Sequence, residues 1–250
     1  MRAVLRIAIP RVLRFAVLAV VACSTVAPSA GRPAGTEPGV SPEEAVHAML
    51  RRVVDAPEAT AGVRMERSDP FGGPPDVERG RLWYLPGRGL RYRSERKGGH
   101  EMVIDRERDA FLVYSPAQRL VYRAAFARSP LQVRRLIADP GRILAKDLRS
   151  TPERRVVRGA PRAGYRLRSA SLGDSLGEVS TWIAADPASG LPRWIAIDSE
   201  AESVLVELQG LTLLKRAKPR DLTLSAPKGT REEPLNPREL LGGAERGESR

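Results

Sequence analysis

Residues 79–115 read RGRLWYLPGRGLRYRSERKGGHEMVIDRERDAFLVYS, and this stretch decides the fold. Apolar and polar residues alternate in short segments, and turn residues separate the segments, among them the charged turn from Asp105 to Asp109. Such alternation between turns is typical of strands that bury one face in a hairpin. The stretch therefore predicts four consecutive strands joined by short connections.

The same pattern continues on both sides of this stretch. Because about a dozen short strands follow one another through turns, we expect one antiparallel sheet rather than parallel βαβ units. Two segments, 111–114 and 194–197, are apolar on both faces, which predicts strands that lie deep in the sheet or line a cavity. The predicted strands are Ala61–Arg67, Arg79–Leu85, Gly89–Arg96, Glu101–Asp105, Ala110–Ser115, Arg119–Arg123, Arg154–Arg158, Gly164–Ala170, Glu178–Ala184, Leu191–Asp198, Ser203–Leu211 and Asp221–Ser225.

Two helices are predicted beside the strands. The first begins at Ser41-Pro42-Glu43-Glu44, where serine can cap the helix, proline suits its first turn and glutamate completes a capping box. Apolar residues then recur at helical spacing as far as Ala56-Pro57. The second begins at Ser129-Pro130 and ends near Ala138. The fold class is therefore mainly β (α+β).

The N-terminal segment has the pattern of an export signal. Residues 1–14 are basic without an acidic residue, and the apolar run Phe15 to Ala22 is too short to span a bilayer. The run ends in Val20-Val21-Ala22-Cys23, which resembles the bacterial lipobox, so Cys23 is the predicted lipidation site. The alternative is an ordinary signal peptide with a chance cysteine. Cys23 is the single cysteine, which excludes an intramolecular disulfide.

These features divide the chain into four parts. We expect a signal peptide over residues 1–22, a lipid-anchored flexible tether over 23–40 that is rich in Pro, Gly, Ser, Ala and Thr, a β domain over 41–231, and a disordered polar tail over 232–250. Ser24 after the cysteine is typical of outer-membrane lipoproteins of enteric bacteria. The expected location is the cell envelope, with the domain facing the periplasm, on the outer membrane in a Gram-negative host.

The net charge of +12 includes four arginines in the first 14 residues, which leaves +8 (12 − 4) on the rest of the chain. A basic balance favours anionic partners, and association with a membrane is the functional interpretation of this charge. The alternative is a solvated basic surface without a partner. Because the arginines are spread along the chain rather than clustered in one block, nucleic acid is not expected as a partner.

No pattern of catalytic residues stands out. His47 and His100 lack metal-ligand spacing and are interpreted as surface or capping residues. The sequence has no G-x-S-x-G motif, and Gly87-Arg88-Gly89 precedes a strand pattern rather than a helix. The sequence therefore predicts neither an enzyme nor a cofactor or metal.

The order of short motifs resembles the LolA/LolB lipoprotein-carrier superfamily. Gly80-Arg81-Leu82-Trp83-Tyr84 with Pro86 to Tyr92 is similar to the opening motif of that family. Val103-Ile104-Asp105 with Phe111 to Pro116 resembles its next hairpin, with a longer charged turn. Asp186 to Pro192 and Pro227-Lys228-Gly229-Thr230 resemble later motifs, so the resemblance covers residues 41–230.

The resemblance implies a strongly curved antiparallel sheet, an open half-barrel whose concave side is closed by helices. It also implies binding of acyl chains of lipoproteins or lipids in an apolar cavity, and envelope transport proteins as partners. A lipid-free protein whose interior is filled by side chains would refute this function. The alternative is an envelope-stress sensor or interaction module of the same fold that binds a membrane protein. The candidates for the cavity wall, each of which could instead be plain core, are Trp83, Leu90, Tyr92, Tyr165, Leu167, Trp182, Val204 and Val206.

Overall fold

A computed structural model describes residues 40–68, 73–129, 131–138, 149–168, 180–199, 203–217 and 222–235. In these residues two α-helices and one turn of 3-10 helix, Phe126–Arg128, accompany a single sheet of twelve strands. The helices are α1 (Pro42–Val54) and α2 (Leu131–Ala138). The strands are β1 (Glu58–Arg67), β2 (Asp76–Leu85), β3 (Gly89–Ser94), β4 (Glu101–Asp105), β5 (Ala110–Ser115), β6 (Leu120–Ala124), β7 (Arg149–Val157), β8 (Ala160–Arg168), β9 (Ser180–Ala185), β10 (Pro192–Asp198), β11 (Ser203–Leu214) and β12 (Arg231–Pro234).

The sheet is open and curved, with the strand order β12-β6-β5-β4-β3-β2-β1-β11-β10-β9-β8-β7. Strands that follow one another in sequence pair within two runs, β1 to β6 and β7 to β11, and β1 joins the runs by pairing with β11. The described neighbours are antiparallel except β12, which pairs parallel with β6. The predicted single antiparallel sheet is therefore confirmed with this exception.

The C-terminal part of the sheet differs from the prediction. Asp221–Ser225 was predicted as a strand, but the described residues from Leu222 onward form none there. Their apolar side chains alternate because Leu222 and Leu224 pack against Leu85 and Val103 of the sheet surface. The last strand is instead Arg231–Pro234, so the structure is regular beyond residue 231, where we expected a disordered tail. Residues 236–250 lie outside the described part.

One face of the sheet, which we call the helix face, carries the main apolar core. Side chains of β1 to β6 and of β8 to β11 point to this face, and both helices contribute to the same cluster. α1 begins with the predicted capping box: Glu44 N donates to Ser41 Oγ at 3.2 Å, and Ser41 N donates to Glu44 Oε2 at 2.8 Å. α2 contributes Val133 and Ile137, both buried.

The opposite face carries two smaller apolar clusters. One contains Trp182, Ala184, Trp194 and Ala196, and the other lies under the C-terminal segment near Leu222. β10 therefore has buried side chains on both faces, as its sequence predicts, whereas Leu112 and Tyr114 on the opposite face of β5 are half-buried. Neither α1, with 13 residues, nor α2, with 8, is long and apolar enough to cross a membrane, and the same holds for the whole described part.

Candidate functional site: the helix face

α1 packs on the helix face through a single apolar stripe. Val46, Met49, Leu50 and Val53 recur at spacings of three and four residues, so they lie on one side of the helix. All four are at most 6% exposed, which places them fully in the core. The helix is thus packed directly on the apolar side chains of the helix face.

Few polar contacts hold α1 in place. Near its start, Glu43 Oε1 accepts a hydrogen bond of 3.1 Å from the backbone N–H of Ser150 on edge strand β7. That hydrogen bond is the largest of the causes that lower the pKa of Glu43. Near its end, Arg52 Nη1 donates to the carbonyl of Ser189 at 2.6 Å. In the described part of the chain, burial of the four apolar side chains of the stripe adds to these contacts.

A small apolar cleft lies beside the C-terminal end of α1. It has room for about one water molecule, and every residue around it is apolar or aromatic. Side chains fill the helix face around it, so the open cavity expected from the family resemblance is not present in the described residues of this conformation. The cleft is lined by Val53, Ala59, Ala61, Leu82, Tyr84, Leu208 and Leu211.

The structure brings six of the eight predicted cavity residues together on the helix face. Leu90, Tyr92, Leu167, Val204 and Val206 are buried in the main core, and Tyr165 packs against it. The other two, Trp83 and Trp182, lie on the opposite face. Trp83 alternates with Leu82 and Tyr84 along β2, and Trp182 precedes Ile183 along β9, so each points away from the helices.

At the β3 end of the helix face, Tyr92 is the centre of a polar group. Its hydroxyl donates to Glu78 Oε1 at 2.9 Å, and burial together with the charge of Glu78 raises the pKa of Tyr92. The His100 ring lies 5.8 Å from the Tyr92 ring, and burial lowers the pKa of His100. We interpreted His100 as a surface or capping residue, whereas it packs against an aromatic ring of the core.

Gly80 makes room for Tyr92. A methyl group at position 80 would lie 2.6 Å from two carbons of the Tyr92 ring. Glycine in the interior of a strand marks such a close approach. Two motif residues quoted from the sequence are thus in contact, and the glycine is a packing requirement of the helix face.

A second opening lies on the opposite face, between the C-terminal segment and β4 to β6. This groove has a volume of about 380 Å³. Its wall includes Asp105, Arg108 and Arg123 beside apolar side chains. Because charged groups line much of it, the groove is a poor match for an acyl chain.

The described residues contain no group of three or more His, Cys, Asp or Glu side chains that could hold a metal ion. The residues that sequence reasoning missed are the small ones around the cleft, above all Ala59 and Ala61 of β1. Their signal was the alternation that continues N-terminally from Val63. Cys23 and the tether lie outside the described part, so lipidation remains a prediction.

No protein-family model matches the sequence, and no curated protein sequence matches it. Solved structures with a similar fold include an uncharacterized conserved protein from Thermus thermophilus, with 14% identity over 75% of this chain and 97% of that chain and a TM-score of 0.47. A LolA superfamily protein from Nitrosomonas europaea has 8% identity over 69% and 94% of the two chains, with a TM-score of 0.38. LprF from Mycobacterium bovis has 13% identity over 75% and 100%, with a TM-score of 0.40. The likeness to LolA-like proteins is one of structure only.

Proposed function

We propose that the protein is a lipid-anchored carrier or acceptor that binds acyl chains of lipoproteins or lipids on the helix face. The observation that supports this is a continuous apolar sheet surface covered by two short helices, α1 and α2. The helix face is then the concave side of the curved sheet. An acyl chain would take the place of α1, entering at the cleft beside Val53 and Ala61.

Burial of the α1 stripe and burial of an acyl chain on the helix face contribute free energies of the same order. Burial of an aliphatic side chain contributes about 1.5–3 kcal/mol, so the four side chains of the α1 stripe contribute about 6–12 kcal/mol. An acyl chain of about 15 methylenes contributes about 12 kcal/mol at 0.8 kcal/mol for each. At the upper end of the first range the two contributions are equal, so an acyl chain can replace the helix without a net loss of apolar burial.

Locking α1 on the sheet tests this proposal. In the full chain carrying Cys23→Ala, we would introduce Glu43→Cys and Ser150→Cys and join them with a short crosslinker that a reductant cleaves. The crosslinked protein should lose binding of a fluorescent fatty-acid probe, and reduction should restore it. The matched control joins Arg123→Cys to Glu232→Cys, an ion pair of 2.9 Å at the β6–β12 edge. Equal probe binding with and without the α1 crosslink would contradict the proposal.

The anchor is tested separately. Replacing Cys23 with Ala should move the protein from the membrane fraction to the soluble fraction, because two or three acyl chains are what make such anchoring stable. Intact mass spectrometry of the membrane form should show the acyl groups. Unchanged membrane retention of Cys23→Ala, with no acyl mass on the parent protein, would refute lipidation.

One observation favours a second candidate function. The helix face is filled by side chains, with a cleft of only about one water beside α1. A sensor or interaction module that binds a membrane protein through its surface needs no open cavity. Lipids extracted from the protein purified from its native membrane separate the two functions, because co-purified acyl lipid supports the carrier and a lipid-free protein supports the module.

A further inference from the structure

The opposite face of the sheet carries a cluster of arginines on three adjacent strands, which we call the arginine patch. It comprises Arg64 of β1, Arg79 and Arg81 of β2, and Arg91 and Arg93 of β3. The strand register places them together: Arg64 lies opposite Arg79, and Arg81 lies opposite Arg93. Arg79, Arg81 and Arg93 are exposed.

The carboxylates beside the patch pair with two of its five members, Arg91 and Arg64, and leave Arg79, Arg81 and Arg93 without an ion pair in the described part of the chain. Glu101, opposite Arg93, binds Arg91 Nε at 2.7 Å and is only 3% exposed. Glu66 is shared between Arg64 and Arg158. Within the described part of the chain, no carboxylate lies within 4 Å of the guanidinium groups of Arg79, Arg81 or Arg93.

This arrangement is unfavourable for the isolated fold. Like charges that lie directly opposite on neighbouring strands destabilise a sheet, and Arg81 and Arg93 form such a pair. Neighbouring arginines on the same face of β2 add to the repulsion. An anionic partner would remove this penalty, so the patch is suited to receive negative charge from outside the protein.

Trp83 gives the patch a second chemical property. Two guanidinium groups lie over its ring, with Arg91 Cζ at 4.8 Å and Arg81 Cζ at 5.4 Å from the ring centroid. The ring is half-buried, unlike Trp182 and Trp194 on the same face, which are buried. Tryptophan is enriched where a membrane meets water, since its ring is apolar and its N–H is polar.

We propose that the arginine patch with Trp83 is a docking surface for an anionic phospholipid membrane. Arginine binds phosphate through paired hydrogen bonds, and exposed side chains along β2 and β3 present several such donors side by side. The surface is a pleated sheet face rather than a groove, which suits a lipid layer better than an acidic peptide. Docking there would leave the helix face, on the other side of the sheet, directed away from the bilayer.

This inference adds to the proposed function and rests on it in one respect, that the protein works beside a membrane. The predicted tether between Cys23 and the domain would hold the arginine patch close to the head groups. The docking surface itself involves neither Cys23 nor the helix face. Failure of the docking proposal therefore leaves the carrier proposal intact. Failure of the carrier proposal likewise leaves the docking proposal intact.

Quenching of Trp83 fluorescence by brominated phosphatidylcholine tests the inference. The full chain with Cys23→Ala would be titrated with vesicles of this lipid, alone or with about one third phosphatidylglycerol, and the signal of the same protein with Trp83→Phe would be subtracted. Each arginine at an anionic surface contributes about fivefold to the partition coefficient, so Arg81→Gln with Arg93→Gln should weaken the phosphatidylglycerol-dependent binding about 30-fold. All forms share residues 1–39, so binding by that segment is common to them.

The matched control is Arg128→Gln with Arg154→Gln, which removes two exposed arginines away from the patch. This control variant should bind the vesicles and be quenched as the parent protein is. Higher salt should weaken the vesicle binding and the Trp83 quenching of both proteins. Absence of Trp83 quenching on anionic vesicles would overturn the inference. So would equal losses in the patch variant and the control variant, because a general charge effect would then explain the binding.

Discussion

Gly80→Ala is expected to destabilise the protein by overfilling the core at Tyr92. The added methyl group would lie 2.6 Å from two ring carbons of Tyr92 and 2.6 Å from the carbonyl oxygen of Arg93. Ordinary contacts are about 3.5–4.0 Å, so something must move by roughly 1 Å. Tyr92 is only 1% exposed, and its hydroxyl is bound to Glu78, so the ring has little freedom to move.

Overfilling of this kind costs about 1–3 kcal/mol, and a clash with backbone as well as side chain places Gly80→Ala near 3 kcal/mol. For a domain of this size that corresponds to a fall in Tm of roughly 6–12 °C. Urea unfolding followed by circular dichroism measures the free energy, and a thermal melt measures Tm. A parallel change in the near-ultraviolet spectrum would report the displaced Tyr92 ring.

Gly62→Ala is the matched control, because it replaces another strand glycine with the same residue. Its methyl group would meet Gln209 at 3.5 Å, which is an ordinary contact, so the free energy of unfolding should change by less than about 1 kcal/mol. In a Tyr92→Leu background the penalty of Gly80→Ala should shrink, because the ring is gone. Equal effects of the two glycine substitutions, or an unchanged penalty beside Leu at position 92, would refute the reasoning.

Three further predictions concern other parts of the sheet and α1. Ser41→Ala removes the cap of α1 and should lower the free energy of unfolding by about 1 kcal/mol in urea titrations. Gly164→Ala places a methyl group 2.7 Å from the Trp182 ring, so Trp182 emission should shift and Tm should fall. Burial alone would raise the pKa of Glu207, but hydrogen bonds from Arg158 and Gln209 outweigh it and lower this pKa. The stability that Glu207 contributes is therefore present above about pH 4.5 and lost as the pH falls, so Glu207→Gln should flatten the decline in unfolding free energy between pH 7 and pH 3.

Most strands could be predicted from the sequence because their alternation reflects burial on one face. β4 and β5 have the predicted bounds, Glu101–Asp105 and Ala110–Ser115. β7 was predicted only from Arg154, whereas it begins at Arg149. Its first half contains Pro152 and few apolar residues, since an edge strand has one side unpaired and tolerates proline and charge.

β12 could not be predicted for a similar reason. Its residues are polar, and it pairs with β6 through backbone hydrogen bonds and the ion pair between Arg123 and Glu232. Strand pairing of this kind leaves no alternation in the sequence. The leucines at 222 and 224 gave a false strand signal, because they alternate while packing onto the sheet rather than within it.

The candidate site was predicted in part. Alternation assigns Leu82 and Tyr84 to one face of β2 and Trp83 to the other, but it does not say which face receives the helices. For that reason Trp83 was placed with the cavity residues, and the arginines beside it were not recognised as a group. Arg81 and Arg93 are 12 positions apart and meet only through the register of β2 and β3.

The pairing of β1 with β11 sets the order in which the molecule can be completed. Met65 lies opposite Val206, roughly 140 positions later in the chain, and this pair is at the middle of the sheet. Contacts so distant in sequence close large loops and slow the folding of β proteins to milliseconds or seconds. Hairpins such as β3–β4 can form as soon as their residues are available, but the two halves of the sheet join only after residue 203 has emerged. A chain that crosses a membrane in extended form would thus have most of its length across before its core closes, and α1 would have no complete surface to dock on until then.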